Sequence, residues 1–133
     1  MNEAATQRDR WLRSAREDLA YARVAAAAGH HAPACFHAQQ AAEKAVKAVH
    51  YGRGARVVIG HNVRALIEAL TPPLAALSAR LDDARDLDVF YLPTRYPNGL
   101  ESGTPREAFG AQQSTRAMTA AEGIVAAVEA DAG

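Results

Sequence analysis

One face of the second predicted helix gathers polar side chains that could contact a phosphate or a nucleotide. The residues on this face, spaced by three or four along the helix, are His37, Gln40, Lys44, Lys47 and Tyr51. Glu43 lies beside them and can form an ion pair with Lys47 at the i to i+4 spacing. The same pattern is typical of a solvated helix face, where such a pair stabilises the helix by about 0.2–0.5 kcal/mol. These residues alone leave both interpretations open.

The segment from Phe90 to Gly99 has an unusual composition for a connecting loop. It contains three aromatic residues, two prolines and Arg95. Prolines stiffen a loop, and its aromatic rings either pack back onto the protein or form a stacking surface. Arg95 can bind a phosphate through two hydrogen bonds or form an ion pair with an aspartate just upstream. We interpret this loop as a binding site or an interface.

Other common kinds of site are not indicated. Five histidines occur, but no Glu-x-x-His or His-Glu-x-x-His spacing places them for a metal. The sequence also lacks a nucleophile elbow and a glycine-rich phosphate loop. Cys35 falls on an apolar helix stripe, where a cysteine is usually an inert core residue. We therefore expect neither a metal site nor a cofactor.

Length and composition indicate one helical domain spanning residues 1–133. Fifteen basic residues balance fifteen acidic ones, which excludes the strongly basic surface of a protein held on nucleic acid by bulk electrostatics. Alanine fills 32 positions and favours helix. The charged N-terminal segment does not resemble a signal peptide, and no apolar stretch is long enough to span a membrane. We expect a soluble, cytoplasmic protein.

Apolar periodicity predicts five helices. Four have approximate ranges of 4–28, 32–51, 62–70 and 104–130. The remaining one, the fourth in chain order, follows Pro73 and carries Leu77, Leu81, Ala84, Leu87 and Tyr91 along one side. A capping box begins the last helix at Thr104. The predicted fold is an all-α, antiparallel, up-and-down bundle of four long helices and one short helix. Because alanine-lined stripes bury little apolar area, we also expect a homodimer.

Three stretches of the chain resemble the HEPN domain, the higher eukaryotes and prokaryotes nucleotide-binding family. They are CFHAQQAAEKAVKA at Cys35–Ala48, GHNV at Gly60–Val63 and TRYPN at Thr94–Asn98. The resemblance extends from Trp11 to about Val128. It implies a helical bundle that dimerises and is often encoded beside a minimal nucleotidyltransferase. In such pairs the HEPN protein commonly acts as a toxin and the nucleotidyltransferase as its antitoxin.

The resemblance also implies a possible chemistry. Many HEPN proteins are metal-independent ribonucleases that use an Arg-x4–6-His motif, and two copies form one composite site. Histidine can take the proton from a ribose 2′-hydroxyl, and arginine stabilises the charge on the phosphorane. Arg95 matches the family arginine, but no histidine follows it in this chain. Proton transfer would then require His61 or His37 to reach Arg95 in space.

We accordingly expect a dimeric binding module with a degenerate ribonuclease motif. The residues expected to contact a nucleotide, an RNA or a nucleotidyltransferase partner are Glu43, Lys44, Lys47, Arg95, Tyr96 and Asn98. One alternative is an active ribonuclease in which Arg95 and a relocated His61 are catalytic. Another is a purely structural dimerisation module. The binding hypothesis requires the loop after the fourth helix to place Arg95 over the polar face of the second helix.

Overall fold

The computed structural model describes residues 2–131, which contain helices and no strand. Its seven α helices are α1 (Glu3–Ala27), α2 (His31–Gly52), α3 (Val63–Glu68), α4 (Ala75–Ser78), α5 (Leu81–Asp88), α6 (Pro105–Ala108) and α7 (Ala111–Ala130). A 3₁₀ turn occupies Pro97–Gly99. No helix in this range is both long and apolar enough to cross a membrane. The predicted helical bundle is confirmed.

Helices α1 and α2 form the longest packed pair and run antiparallel. The Asn2 side chain caps α1 by accepting a hydrogen bond from the amide of Ala5 at 2.7 Å. Gly29, with φ of +81°, allows the chain to reverse between the two helices. Trp11 in the N-terminal half of α1 stacks on Tyr51 near the end of α2. The predicted end of the first helix near residue 28 and the predicted start of the second near residue 32 are therefore correct to within one residue.

Helix α2 lies at the centre of the bundle, in contact with α1, α3, α5, α6 and α7. Its core positions are small and fully buried: Ala34, Cys35, Ala38, Ala41, Ala42, Ala45 and Ala48. Alanines let helices approach closely, but each buries little apolar surface. The few large core side chains, such as Leu77, Leu87 and Ile124, therefore carry much of the packing energy.

The fourth predicted helix is divided in two. Arg80 leaves helical dihedral angles, and its amide closes a tight turn on the carbonyl of Leu77 at 2.8 Å. Both halves still direct leucines into the core, since Leu77 and Leu87 are fully buried. Helix α5 ends at Asp88, three residues before the predicted stripe ends at Tyr91. The remaining residues form turns that carry the aromatic loop.

The last predicted helix is also interrupted. The two residues of the predicted capping box do interact, because the Glu107 carboxylate accepts hydrogen bonds from both the amide and the hydroxyl of Thr104, while the Glu107 amide donates to the Thr104 carbonyl. Helix α6 nevertheless ends after one turn, where Phe109 adopts an extended backbone and packs edge-to-face on Phe90 at 5.7 Å. Gly110 then starts α7 by donating its amide hydrogen to the Gln113 side chain at 2.9 Å. Packing of Phe109 thus overrides the helical pattern.

Candidate functional site

Arg95 lies at the centre of an aromatic cluster. Its guanidinium carbon is 4.7 Å from the ring centroid of Phe36, 4.4 Å from that of Tyr91 and 5.0 Å from that of Tyr96. Its Nε donates a hydrogen bond to the carbonyl oxygen of Tyr91 at 3.2 Å. Phe36 belongs to α2, so the loop places Arg95 against that helix, but through a ring that is not part of the predicted polar face.

The Arg95 guanidinium is available to a ligand. The residue is exposed, and it forms no ion pair with any carboxylate in residues 2–131. Guanidinium carries five N–H donors in a planar fork, and the contact with Tyr91 uses one of them. The three rings hold the group in place without neutralising its charge. This arrangement suits an incoming phosphate.

His61 shares the Tyr91 ring with Arg95. The imidazole stacks on Tyr91 with a centroid separation of 4.5 Å and an angle of 16° between the planes. Because the Arg95 guanidinium carbon is 4.4 Å from the same centroid, it lies at most about 9 Å from the imidazole centre. The structure therefore places within about 9 Å of each other the two residues that would be catalytic in the ribonuclease alternative. His61 itself is exposed.

Glu43 orients the His61 ring from inside the protein. Its carboxylate oxygens lie 3.2 Å from Nδ1 of His61 and 3.0 Å from Nζ of Lys47. Gln39 donates a hydrogen bond to the backbone carbonyl of His61 at 2.8 Å. These contacts fix both the backbone and the side chain of His61.

Glu43 and Lys47 are buried, with 4% and 5% of their surface exposed. This ion pair therefore does not lie on a solvated helix face, because α1 and the chain around His61 cover it. Trp11 adds to that cover, since Nζ of Lys47 lies 5.8 Å from the Trp11 ring centroid. We expect Glu43 and Lys47 to affect a ligand through His61 rather than by touching it.

Lys44 and His37 share a buried aspartate on α1. Asp18 lies 2.6 Å from Nζ of Lys44 and 2.9 Å from Nδ1 of His37. Lys44 also donates a hydrogen bond to the Ser14 hydroxyl at 3.0 Å. Asp18 was not predicted as a site residue, although its spacing of three from Ala15 and four from Ala22 places it on the buried face of α1. A carboxylate in that position was the available signal for a buried polar contact.

A second aspartate, Asp88, holds the helix that follows His61. Its carboxylate accepts hydrogen bonds from the amides of Val63 at 2.6 Å and Arg64 at 3.0 Å. Burial raises the pKa of Asp88 above its ordinary value, and these two hydrogen bonds oppose that shift. Asn62 caps the same helix through the amide of Ala65. Helix α5 is thereby tied to the segment that positions His61.

The remaining predicted residues lie in or beside the loop. Tyr96 is exposed and packs against Arg95, while Asn98 is exposed in the 3₁₀ turn. Phe36 was not singled out as a contact residue, although it lies within the stretch that resembles the HEPN family. Cys35 is fully buried, and desolvation raises the pKa of its thiol to about 12. It therefore behaves as the predicted inert core residue.

Comparison with known proteins agrees with this architecture. The HEPN domain family model matches residues 9–131. The crystal structure of TT1696 from Thermus thermophilus is similar, with a TM-score of 0.88 and 35% identity over 98% of both chains. ST0689, described as an archaeal HEPN homologue, has a TM-score of 0.76 and 33% identity over 98% of both chains. A search of curated proteins gives no match. With a family model that covers nearly its whole length, the chain belongs to the HEPN domain family.

Proposed function

We propose that this HEPN protein binds single-stranded RNA through the Arg95 aromatic cluster, formed by Phe36, Tyr91, Arg95 and Tyr96. The observation that carries the proposal is the exposed guanidinium held over three rings without a carboxylate partner in residues 2–131. RNA-binding proteins commonly stack unpaired bases on aromatic side chains and contact phosphates through arginine. A neutral net charge is consistent with a local contact of this kind.

Arg95→Ala should weaken RNA binding at least about tenfold. The substitution removes a charge-assisted contact worth roughly 1.5–3 kcal/mol, and about 1.4 kcal/mol corresponds to a factor of ten. Fluorescence anisotropy with a labelled eight-nucleotide RNA at fixed salt measures the change. Arg106→Ala, at an exposed arginine on α6, is the matched control and should bind as the unaltered protein does. Equal affinity of the two variants would contradict the proposal.

A second candidate function, RNA cleavage, is supported by the position of His61. A carboxylate that contacts one imidazole nitrogen sets the tautomer and leaves the other nitrogen free to accept a proton. Glu43 contacts Nδ1, so Nε2 is that nitrogen. The nearby Arg95 could stabilise the charge that develops on phosphorus. In this candidate, His61 replaces the histidine missing from the Arg-x4–6-His motif.

If this candidate is correct, the protein cleaves RNA in EDTA and leaves cyclic phosphate ends. His61→Ala should then reduce the cleavage rate about 100-fold or more, which is the usual contribution of a general base. His30→Ala alters an exposed histidine at the start of α2 and serves as the control. Gel assays of end-labelled RNA measure both rates. RNA binding without cleavage would leave the protein as a binding module.

We also propose that the protein forms a homodimer and pairs with a minimal nucleotidyltransferase in the cytoplasm, in a toxin–antitoxin arrangement. The family membership supports the pairing. Exposed apolar side chains support association: Leu92 and Tyr96 in the loop that carries Arg95, Val89 directly after α5, and Tyr21 and Val24 on α1. Monomeric proteins seldom expose large contiguous apolar patches. A dimer through the aromatic loop would bring two copies of Arg95 to one cleft.

Sedimentation should give the mass of a dimer at micromolar concentration, twice the chain mass of 14.1 kDa. Leu92→Glu introduces a charge into the apolar patch beside Arg95 and should shift the population toward monomer. Arg85→Glu, at an exposed position on α5, is the control and should leave the mass unchanged. A monomer at these concentrations would refute the dimer.

A further inference from the structure

A groove lies beside Trp11, at the opposite end of α2 from Phe36. Its volume is about 630 Å³, and Trp11 and Tyr51 form part of its wall. The two rings stack with centroids 5.0 Å apart and an angle of 22° between their planes. Sites for small molecules typically have volumes of about 300–1,000 Å³ and are lined by aromatic side chains. Nothing in the Arg95 aromatic cluster uses this groove.

Two arginines give the groove a positive rim. Arg10 and Arg56 both line it and are both exposed. Neither forms an ion pair with a carboxylate in the part of the chain that the structure describes. The acidic residue in the wall, Glu3, accepts a hydrogen bond from the Gln7 amide at 2.7 Å. The groove thus combines aromatic surface with two arginines and one carboxylate, so its lining carries a net positive charge.

The chain between α2 and α3 folds so that Arg56 reaches the groove. Gly54 has φ of +97°, a conformation that side-chain-bearing residues rarely adopt, and it lets the chain turn directly after α2. The amide of Val58 then donates a hydrogen bond to the Tyr51 hydroxyl at 3.2 Å. Tyr51 therefore contributes both to the groove wall and to the anchor of the segment that carries Arg56.

A line of contacts connects the groove with the Arg95 aromatic cluster. A smaller adjoining pocket shares Arg10 and Trp11 with the groove and extends to Lys44. Lys44 is linked through Asp18 to His37, and the His37 ring packs edge-on against Phe36 at 5.6 Å. Phe36 and Tyr51 are fifteen positions apart on α2, a distance of about 22 Å along the helix.

We propose that the groove is a second binding site for the same single-stranded RNA, in which a base contacts Trp11 and a phosphate lies between Arg10 and Arg56. This inference rests on the proposed function. At about 3.4 Å per nucleotide in a stacked strand, the two sites are about six nucleotides apart, and fewer if the strand is extended. An RNA of two nucleotides occupies one site, whereas an RNA of eight nucleotides reaches both.

Anisotropy with labelled RNAs of two and eight nucleotides tests this inference. The double variant Arg10→Ala/Arg56→Ala should bind the eight-nucleotide RNA at least tenfold more weakly and, at the Arg95 cluster, bind the two-nucleotide RNA as before. Arg13→Ala changes an exposed arginine of α1 outside the groove wall and should alter neither affinity. Trp11 is the chain's one tryptophan. The eight-nucleotide RNA should therefore quench its fluorescence, and the double variant should lose this quenching.

The outcomes separate the inference from the proposed function. If Arg95→Ala weakens binding of the long RNA and the double variant does not, the second site is refuted and the proposed function stands. An equal loss for both RNAs in the double variant would also refute the two-site arrangement. If the unaltered protein binds neither RNA, both proposals fail.

Discussion

Glu43→Ala should lower the free energy of unfolding by about 3–5 kcal/mol, the usual cost of leaving one member of a buried ion pair unpaired. Lys47 is 5% exposed, and its ammonium group would lose the carboxylate that lies 3.0 Å away. His61 would lose its contact with the same carboxylate. Urea denaturation at one fixed protein concentration measures the change, because association makes the apparent stability depend on concentration.

Two further variants make this result specific to the buried pair. Glu129→Ala breaks an exposed ion pair with Arg16 and should cost at most about 1 kcal/mol. The double variant Glu43→Leu/Lys47→Met removes both charges and should recover part of the stability lost in Glu43→Ala. If Glu43→Ala cost no more than Glu129→Ala, the buried pair would not contribute as described.

Leu87→Ala should destabilise the protein by about 2–5 kcal/mol, the range for truncation of a buried leucine. Leu87 on α5 is fully buried, in a core otherwise rich in alanine. Alanine side chains cannot move to fill the cavity, so we expect a value in the upper half of that range. Helix α5 leads directly into the aromatic loop. The variant should therefore lose RNA binding at a lower urea concentration than the unaltered protein, because the loop unfolds together with α5. Urea denaturation again gives the free energy.

Ile59→Ala is the matched control for this truncation. Ile59 is 83% exposed and lies outside the proposed interface, so removing its side chain leaves no buried cavity and should change stability by less than about 0.5 kcal/mol. A similar small change for Leu87→Ala would show that α5 contributes little to the core.

The helices were predictable because local information determines them. Alanine content and three-to-four residue spacing define α1 and α2, and Gly29 marks the turn between them. The capping box at Thr104 likewise depends on residues three positions apart. The breaks at Arg80 and Phe109 could not be predicted in this way. The second of these depends on Phe90, which is distant in sequence.

The candidate site was predictable only in part. The composition of the loop pointed to Arg95, and the resemblance to the HEPN family pointed to His61. Burial of Glu43 was not predictable, because spacing shows which residues share a helix face but not which segment covers that face. His61 reaches Glu43 from 18 residues away through a turn that tertiary contacts hold. Asp18 was missed for the same reason, since its partners lie on another helix.

The most direct test of the central claim is to observe the Arg95 side chain while RNA is added. In a ¹⁵N-labelled sample, the Nε–H group of Arg95 should give its own NMR signal, because it donates a hydrogen bond to Tyr91. Arg95→Lys identifies that signal by removing it. We predict that a two-nucleotide RNA shifts the Arg95 signal in proportion to occupancy and leaves the Arg106 signal in place. RNA binding that leaves the Arg95 signal unmoved would contradict the account.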